Sequence, residues 1–154
     1  MSLKKNNNQS SSLFSGIGLN DSEVETVTNI DPNLGGNQKI LVVDDDQDIL
    51  PLISELLAAL NYEAITAPGP KEALTLLDNG INPELLLTDI DMPDINGFEL
   101  AEKIKEVKPD IGVVYMSGFA ASVSHLSTVK VQAKLLQKPF QLSSLSHALF
   151  DALH

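Results

Sequence analysis

The sequence predicts an α/β fold, a three-layer sandwich in which helices cover both faces of a five-stranded parallel sheet. Short apolar runs, each long enough for one buried strand, alternate with stretches whose apolar residues recur at helical spacing. Five strand and helix units of this kind fit into about 115 residues. Because parallel strands need crossover connections, and these are right-handed, we expect helices on both faces of the sheet.

The chain divides near residue 38. We expect a low-complexity N-terminal arm or linker over residues 1–38 and one folded domain over residues 39–154. The arm is rich in Asn, Ser and Gly, and its scattered apolar residues follow neither the strand period nor the helix period. A single helical turn is expected within the arm, at residues 21–25.

The first two strands flank a long helix. Residues 40–43 form an apolar run that ends in acids, as expected for a strand buried on both faces. From residue 49 to residue 60 the apolar side chains recur every three or four positions, which predicts an amphipathic helix that ends at Asn61. Residues 62–66 read as the second strand, and a Pro-Gly-Pro turn follows.

The middle of the domain contains a short helix and the third strand. Residues 73–77 have the apolar spacing of a helix, which ends at the Asn-Gly pair 79–80. Residues 85–88 are again an apolar run and predict the third strand. A loop over residues 89–97 follows it.

The last third of the domain continues the alternation. A third helix begins at Phe98 and ends before Pro109, because proline cannot continue a helix. The remaining elements are a fourth strand at residues 111–116, a weakly helical segment at 119–130, a short fifth strand at 135–137 and a final helix at 142–153.

Composition excludes several classes of function. The chain of 154 residues has no cysteine, which excludes disulfides, thiol catalysis, iron–sulfur clusters and cysteine-based zinc sites. Its formal charge is −11, and its 10 basic residues are all lysines, so a polyanion such as DNA or RNA is a poor direct partner. Apolar runs fall short of the ~20 residues that a membrane span needs, and we expect a cytoplasmic location.

Polar side chains follow four of the five predicted strands. In an open parallel sheet, ligands bind at the carboxyl ends of the strands. Carboxylate, hydroxyl and ammonium groups are therefore expected to meet at one edge of this sheet. They belong to Asp44, Asp45 and Asp46 after the first strand, Asp89 after the third, Ser117 after the fourth and Lys138 after the fifth.

Such a cluster can support phosphoryl transfer onto an aspartate. Carboxylates that lie close together repel one another unless a proton or a cation binds, and a magnesium ion accepts one or two carboxylates together with phosphate oxygens. An aspartate beside the ion can act as nucleophile, while a lysine and a serine bind the phosphoryl group. Taken alone, the acids read more readily as a helix cap or as loop residues than as a functional site, but the joint placement of all these residues favours the functional interpretation.

Four segments of the chain resemble the receiver domain of two-component response regulators. They read ILVVDD at residues 40–45, LTDIDMPDING at 87–97, VVYMSG at 113–118 and QKPF at 137–140. The resemblance covers residues 39–154 and implies a flavodoxin-like sheet with the strand order 2-1-3-4-5. Residues 117–119 and 136–140 also resemble the receivers of hybrid sensor histidine kinases, and such an origin would make the parent protein a histidine kinase.

The resemblance implies that Asp89 is the phosphoacceptor. Ser117 would bond to a phosphoryl oxygen, and Lys138 would pair with the phosphate. The donor would be a phosphohistidine on a sensor histidine kinase or a histidine phosphotransfer protein, and hydrolysis of the acyl phosphate would reset the switch. The domain would assist its own phosphorylation and dephosphorylation without being an enzyme, and partner proteins or domains would read its state. The Lys138–Pro139 bond resembles one that is cis in this family.

A magnesium site is also implied by the resemblance. It would comprise Asp44, Asp45, Asp89 and Asp91. Asp45 would bind Mg²⁺ directly, and Asp44 would act through water or steady Lys138. Asp91 would contribute its main-chain carbonyl oxygen.

Leu135 departs from the family pattern. The position three residues before the strand-5 lysine usually holds Tyr or Phe, whose ring turns inward when the strand-4 hydroxyl residue moves toward the phosphate. A leucine fills the space but has no ring to rotate. We therefore expect phosphorylation of Asp89 to be retained, while its transmission through the fourth and fifth strands and the segment between them is altered.

Two other functions are compatible with parts of the sequence. The Asp89-Ile90-Asp91 triplet resembles the nucleophile motif of haloacid-dehalogenase-type phosphatases, although that motif normally lies on the first strand of the domain and here Met92-Pro93 follows it. Alternatively, the chain is a degenerate receiver that only binds proteins. Multiple turnovers of small phosphate esters would distinguish the phosphatase, and failure to accept a phosphoryl group would distinguish the binding module.

Overall fold

A computed structural model of the chain describes residues 34–118 and 134–154. Within them, five parallel strands form one sheet in the order β2-β1-β3-β4-β5, which confirms the predicted fold. The strands are β1 (Lys39–Val43), β2 (Glu63–Ala67), β3 (Leu85–Asp89), β4 (Gly112–Ser117) and β5 (Lys134–Gln137).

Four helices of the described residues cover the two faces of the sheet. Apolar residues of the first and last helices form one core with the side chains of β1 and β3 that point toward them. The two middle helices form a second core on the opposite face. The structure is thus the three-layer sandwich that the sequence predicts. The helices are α1 (Ile49–Ala59), α2 (Pro70–Asp78), α3 (Gly97–Val107) and α4 (Leu142–Leu153).

The central strands of the sheet are buried on both faces. Successive side chains of a strand point to opposite faces, so Ile40 and Val42 of β1 belong to one core while Leu41 and Val43 belong to the other. All residues of β3 are buried as well. This burial explains why both strands read as continuous apolar runs rather than as alternating patterns.

The boundary between α1 and β2 differs by one residue from the prediction. Asn61 adopts a positive φ of 69° and ends the helix, and the main-chain N–H of Tyr62 donates to the carbonyl of Leu57 at 2.9 Å. Tyr62 is therefore still tied to the end of α1, and β2 begins only at Glu63.

Residues 34–37, at the end of the predicted arm, contact this same corner. The main-chain N–H groups of Gly35 and Asn37 donate to the carbonyls of Leu60 and Asn61, both at 2.8 Å. A side chain at position 35 would collide with the ring of Tyr62, because a Cβ there would lie 2.3 Å from a ring carbon. The helical turn expected at residues 21–25 and the helix expected at 119–130 lie outside the described residues.

None of the helices in the described ranges combines the length and the apolar character that a membrane crossing requires.

Candidate functional site

Three carboxylates meet where β1 and β3 end. The two strands are neighbours, with Val43 paired to Thr88, so the residues after Val43 emerge beside Asp89, the last residue of β3. Asp44, Asp45 and Asp89 each offer one oxygen, and these oxygens all lie within 4.8 Å of one another. Asp44 and Asp89 are buried, whereas Asp45 is exposed. The cluster is therefore open to solvent on the side of Asp45.

Lys138 reaches this cluster from the end of β5, on the far side of β4. Its Nζ lies 2.6 Å from Oδ2 of Asp44 and 3.6 Å from Oδ1 of Asp89. The main-chain N–H of Lys138 donates to the carbonyl of Ser117 at 2.7 Å, which ties the loop after β5 to the end of β4. The Lys138–Pro139 peptide bond is cis, as the resemblance implied.

The other predicted site residues lie at the same edge of the sheet. Ser117 is the last residue of β4 and is fully buried. The main-chain N–H of Asp91 donates a hydrogen bond to the carboxylate of Asp89. The carboxylate trio does not include Asp91, whose predicted part was its main-chain carbonyl. Asp46 is exposed, and its main-chain N–H donates to Oδ1 of Asp44 at 2.9 Å, which helps to orient that buried side chain.

The phosphoacceptor candidate has a strongly shifted pKa. Burial raises the pKa of Asp89 to about 6, Lys138 opposes this rise, and the negative charge of Asp44 adds to it. The hydrogen bond from the Asp91 main chain also favours the ionised carboxylate. Asp89 is therefore a poorly solvated anion at neutral pH, which is a favourable state for a nucleophile or a metal ligand.

Lys138 stays charged at this site. Burial alone would lower its pKa, but the hydrogen bond to Asp44 and the charges of Asp89 and Asp44 outweigh burial and raise the pKa above its ordinary value. The ammonium group is thus a permanent cation between two buried carboxylates. It offsets one of the three negative charges that the ionised trio carries.

The remaining negative charge and the ligand chemistry fit a divalent cation. All three side chains offer carboxylate oxygens, the atoms that hard cations such as Mg²⁺ prefer. The exposed side of the trio leaves room for water and phosphate oxygens to complete the coordination sphere, as Mg²⁺ usually requires. Asp44, Asp45 and Asp89 are the side chains that would hold the ion.

The raised pKa of Asp89 predicts an unusual pH dependence of stability. The pKa of about 6 in the folded state lies above the ordinary pKa of an aspartate, 3.8, so the folded state binds the proton more tightly than the unfolded state. Without Mg²⁺, the free energy of unfolding should fall as pH rises from about 4 to about 6, by at most ~3 kcal/mol. Urea unfolding at several pH values in EDTA measures this slope.

The Asp89→Asn variant is the control for that experiment, because it cannot ionise at this position. The unfolding free energy of this variant should not fall between about pH 4 and about pH 6. An equally steep fall in the variant would assign the effect to other groups. Adding Mg²⁺ above pH 6 should restore stability to the wild-type chain alone, because the cation binds the ionised carboxylate.

Sequence reasoning missed the residues that hold the loop after Asp89. The side chain of Asn96 accepts from the main-chain N–H of Glu99 at 2.9 Å, and the Glu99 carboxylate accepts from the main-chain N–H of Asn96 at 3.0 Å. This capping box fixes the start of α3, and an Asn followed three residues later by Glu was its signal in the sequence. Gly97 lies so close to the Asp89 carbonyl oxygen that a Cβ would be 2.4 Å from it.

The position of Leu135 can be compared with its neighbour on β4. Leu135 is paired with Tyr115 across the two strands, and Tyr115 is buried against Phe98 of α3, with ring centroids 4.7 Å apart. Burial, together with the charge of Glu102, raises the pKa of Tyr115 to about 12. An aromatic ring therefore lies next to Leu135, on β4 rather than on β5. The effect of Leu135 on output stays a prediction.

Comparison with known proteins agrees with this geometry. The sequence model of the response regulator receiver domain matches residues 40–150. The response regulator receiver protein CpdR of Brucella abortus is 33% identical, over 70% of this chain and 90% of that protein. The DNA-binding transcriptional regulator NtrC of Azospirillum brasilense is 32% identical, over 75% of this chain, but the chain spans only 24% of NtrC.

A solved structure with the same fold contains magnesium. The response regulator TrrA of Thermotoga maritima, solved in complex with Mg²⁺-BeF, superimposes with a TM-score of 0.66 at 33% identity. The match covers 75% of this chain and 99% of TrrA. The chain therefore belongs to the response regulator receiver domains, the phosphoacceptor switches of two-component signalling.

Proposed function

We propose that Asp89 is the phosphoacceptor of this receiver domain and that its donor is a phosphohistidine. A carboxylate oxygen of Asp89 attacks phosphorus, the bond from phosphorus to the imidazole nitrogen breaks, and the electron pair of that bond returns to the imidazole. Water later cleaves the acyl phosphate, which releases inorganic phosphate and restores the carboxylate. The observation that carries the proposal is the convergence of Asp44 and Asp45, from the end of β1, and Lys138, from the end of β5, on Asp89.

The neighbouring residues have separate parts in this proposal. Lys138 pairs with a phosphoryl oxygen, and its present bond to Asp44 holds the ammonium group within 3.6 Å of the Asp89 carboxylate. The hydroxyl of Ser117 donates to a second phosphoryl oxygen. Mg²⁺, held by the carboxylates and the Asp91 carbonyl, would offset charge on the phosphoryl group. The Mg²⁺-BeF complex of TrrA supports a magnesium-dependent reaction.

Acetyl phosphate with Mg²⁺ tests the proposed function. Intact mass spectrometry should show one added phosphoryl group per chain, and EDTA should prevent the addition. A phosphatase of the haloacid-dehalogenase type would instead turn over p-nitrophenyl phosphate many times without lasting modification. Failure to gain any mass would favour the binding module without phosphorylation.

An apolar hollow beside the site suits the docking of the protein donor. It encloses a cavity of about 360 Å³ between α1 and the loop after β5, and Lys138 lies in its wall as well as in the carboxylate cluster. Leu52 is 56% exposed there although it is apolar. We propose that an apolar helical surface that carries the phosphohistidine packs here, because the phosphoryl group would then arrive next to Lys138. The lining includes Ile49, Leu52, Leu56, Pro139 and Phe140.

Replacing Leu52 by Gln should slow phosphorylation by a protein donor without affecting the small donor. We expect about a tenfold lower rate from a phosphorylated kinase core or phosphotransfer protein that labels the wild type, since a buried Leu contributes roughly 1.5–3 kcal/mol to a contact. The rate of phosphorylation by acetyl phosphate should be unchanged, because this small donor does not need the hollow in which Leu52 lies. Radiolabel transfer measures both rates.

The matched control is Val107→Gln, an exposed apolar residue at the far end of α3 (69% exposed). Its rates with both donors should equal those of the wild type. Equal rates for the Leu52 and Val107 variants with the protein donor would contradict docking at the hollow.

The same proposal includes the kind of protein, the cell compartment and the attachment of the domain to a longer chain. The domain acts as a switch that assists its own phosphorylation and dephosphorylation rather than turning over an external substrate. The exchange takes place in the cytoplasm, where a kinase that uses ATP must act. The Asn- and Ser-rich segment ahead of β1 is typical of a linker and favours a tethered domain, such as the receiver of a hybrid histidine kinase.

A further inference from the structure

A buried hydroxyl lies directly before the phosphoacceptor candidate. β3 consists of three leucines, Thr88 and Asp89, and the side chain of Thr88 is fully buried. Its Oγ1 donates a hydrogen bond to the main-chain carbonyl of Asp89 at 3.0 Å. Thr88 is thus the single uncharged polar side chain of this strand, and its acceptor is the main chain of the residue proposed to carry the phosphoryl group.

Stability alone does not explain a hydroxyl at this position. The residues paired with Thr88 on the two neighbouring strands are Val43 and Tyr115, and both belong to the apolar core on this face. Burying a hydroxyl among apolar side chains is unfavourable unless it is hydrogen-bonded, and valine has the same branched shape without that penalty. The hydrogen bond to Asp89 is therefore the feature that distinguishes Thr88 from a valine.

The peptide unit between Asp89 and Ile90 is held at both of its polar ends. Thr88 binds its carbonyl oxygen, and its N–H donates to the carbonyl of Met116 on β4 at 2.9 Å. Gly97 packs against the same carbonyl oxygen so closely that any side chain there would displace it. Because this peptide unit joins Asp89 to the loop of Asp91, its orientation sets the direction of the Asp89 carboxylate and the course of the loop.

We infer that Thr88 is a positioning residue for phosphorylation, which acts by fixing the Asp89–Ile90 peptide unit through its hydroxyl. The inference rests on the proposed function of Asp89. Thr88 does not touch the phosphoryl group; it holds the main chain from which the Asp89 carboxylate and the Asp91 carbonyl project. Loss of the hydroxyl frees the peptide unit to tilt, so the carboxylate oxygens no longer meet the cation and the incoming phosphorus in one geometry.

Two variants of Thr88 separate the hydroxyl from the shape of the side chain. Thr88→Val keeps the branched shape and removes the hydroxyl, whereas Thr88→Ser keeps the hydroxyl and removes a methyl group. For Thr88→Val we expect a Mg²⁺ dissociation constant about tenfold higher, as is common when a residue that supports a metal ligand is changed, and a comparable loss in the rate of phosphorylation by acetyl phosphate. Thr88→Ser should stay near the wild-type values.

Three quantities are measured on the wild type and both variants: the Mg²⁺ affinity by calorimetric titration, the rate of phosphorylation by acetyl phosphate, and the thermal midpoint of unfolding. The titrations and rates are measured at a temperature at which all three proteins are folded. Unchanged Mg²⁺ affinity and phosphorylation rate in Thr88→Val would overturn the inference. A Thr88→Ser protein that is as impaired as Thr88→Val would also overturn it, because the loss would then follow from the changed side-chain shape and not from the missing hydroxyl. If the wild type binds Mg²⁺ but accepts no phosphoryl group, the proposed function fails, while the Mg²⁺ titrations still decide the part of Thr88. A wild type that binds no Mg²⁺ would overturn both.

Discussion

The Asp89→Asn variant is expected to accept no phosphoryl group from acetyl phosphate, a loss of at least about a hundredfold relative to the wild type. The amide is nearly the same size as the carboxylate, but its oxygen is a far weaker nucleophile and carries no charge. Asp44 and Asp45 would still be present, so the variant tests the nucleophile rather than the site as a whole. Intact mass spectrometry after incubation with Mg²⁺ and acetyl phosphate is the measurement.

The same variant should be more stable than the wild type in EDTA at pH 7. Burial and Asp44 hold the pKa of Asp89 near 6, so the ionised form is unfavourable in the folded state, and its removal should raise the unfolding free energy by roughly 1–3 kcal/mol. A variant that loses phosphorylation and gains stability fits a residue selected for function rather than for folding.

Asp94→Asn is the matched control. Asp94 is an exposed acid of the loop that follows β3, and its positive φ of 73° is one that asparagine adopts readily. This variant should be phosphorylated like the wild type. Persistent labelling of Asp89→Asn, or loss of labelling in Asp94→Asn, would refute the assignment of the phosphoacceptor.

The second large effect is expected for Lys138→Met, which removes the cation from the cluster. Asp44 is completely buried and bonded to Lys138 at 2.6 Å, so the variant leaves two buried carboxylates facing each other. We expect the unfolding free energy in EDTA to fall by about 2 kcal/mol, less than for a fully enclosed pair because Lys138 keeps some contact with water. Mg²⁺ should recover part of this loss, since it supplies positive charge at the same place.

Phosphorylation of Lys138→Met should also be slower, by at least about tenfold, because no ammonium group pairs with the phosphoryl oxygens. The phosphorylated Lys138→Met protein should also bind a downstream partner less well, because no ammonium group holds the phosphoryl group in place. Lys105→Met, a change at an exposed lysine of α3, is the control and should match the wild type. Wild-type stability and wild-type rates for Lys138→Met would contradict the part assigned to this lysine.

The haloacid-dehalogenase alternative differs from the structure in the place of its motif. Asp89 is the last residue of β3 and Asp91 follows in the next loop, and β3 is central in the sheet and third in sequence. The phosphatase motif normally belongs to the first strand of the domain. The family match over residues 40–150 agrees with a receiver instead. Asp89, Ser117 and Lys138, the residues proposed as nucleophile, hydroxyl and lysine, all lie at one edge of the sheet, and this placement also disfavours a module that has lost phosphorylation.

Much of the fold was readable from the sequence because its local patterns are strong. Strands buried on both faces appear as apolar runs, and helices with one buried face show a period of three to four residues. Boundaries were less certain, as at Tyr62, where a hydrogen bond back to Leu57 postpones β2 by one residue. The division at residue 38 and the helix at 119–130 stay predictions.

The sequence by itself determined which chemical groups the site contains, because the residues at four strand ends follow directly from where the apolar runs stop. Only the tertiary structure decided how those groups interact. The bond between Lys138 and Asp44 joins residues 94 positions apart, and the raised pKa of Asp89 depends on burial that no local pattern reports. The contacts of Thr88 and Gly97 with the carbonyl oxygen of Asp89 could not be predicted from the sequence either, since they arise when α3 packs against the end of β3. Distances and dielectric surroundings are properties of the packed chain, and they set the charges and pKa values of the polar residues that form the candidate site.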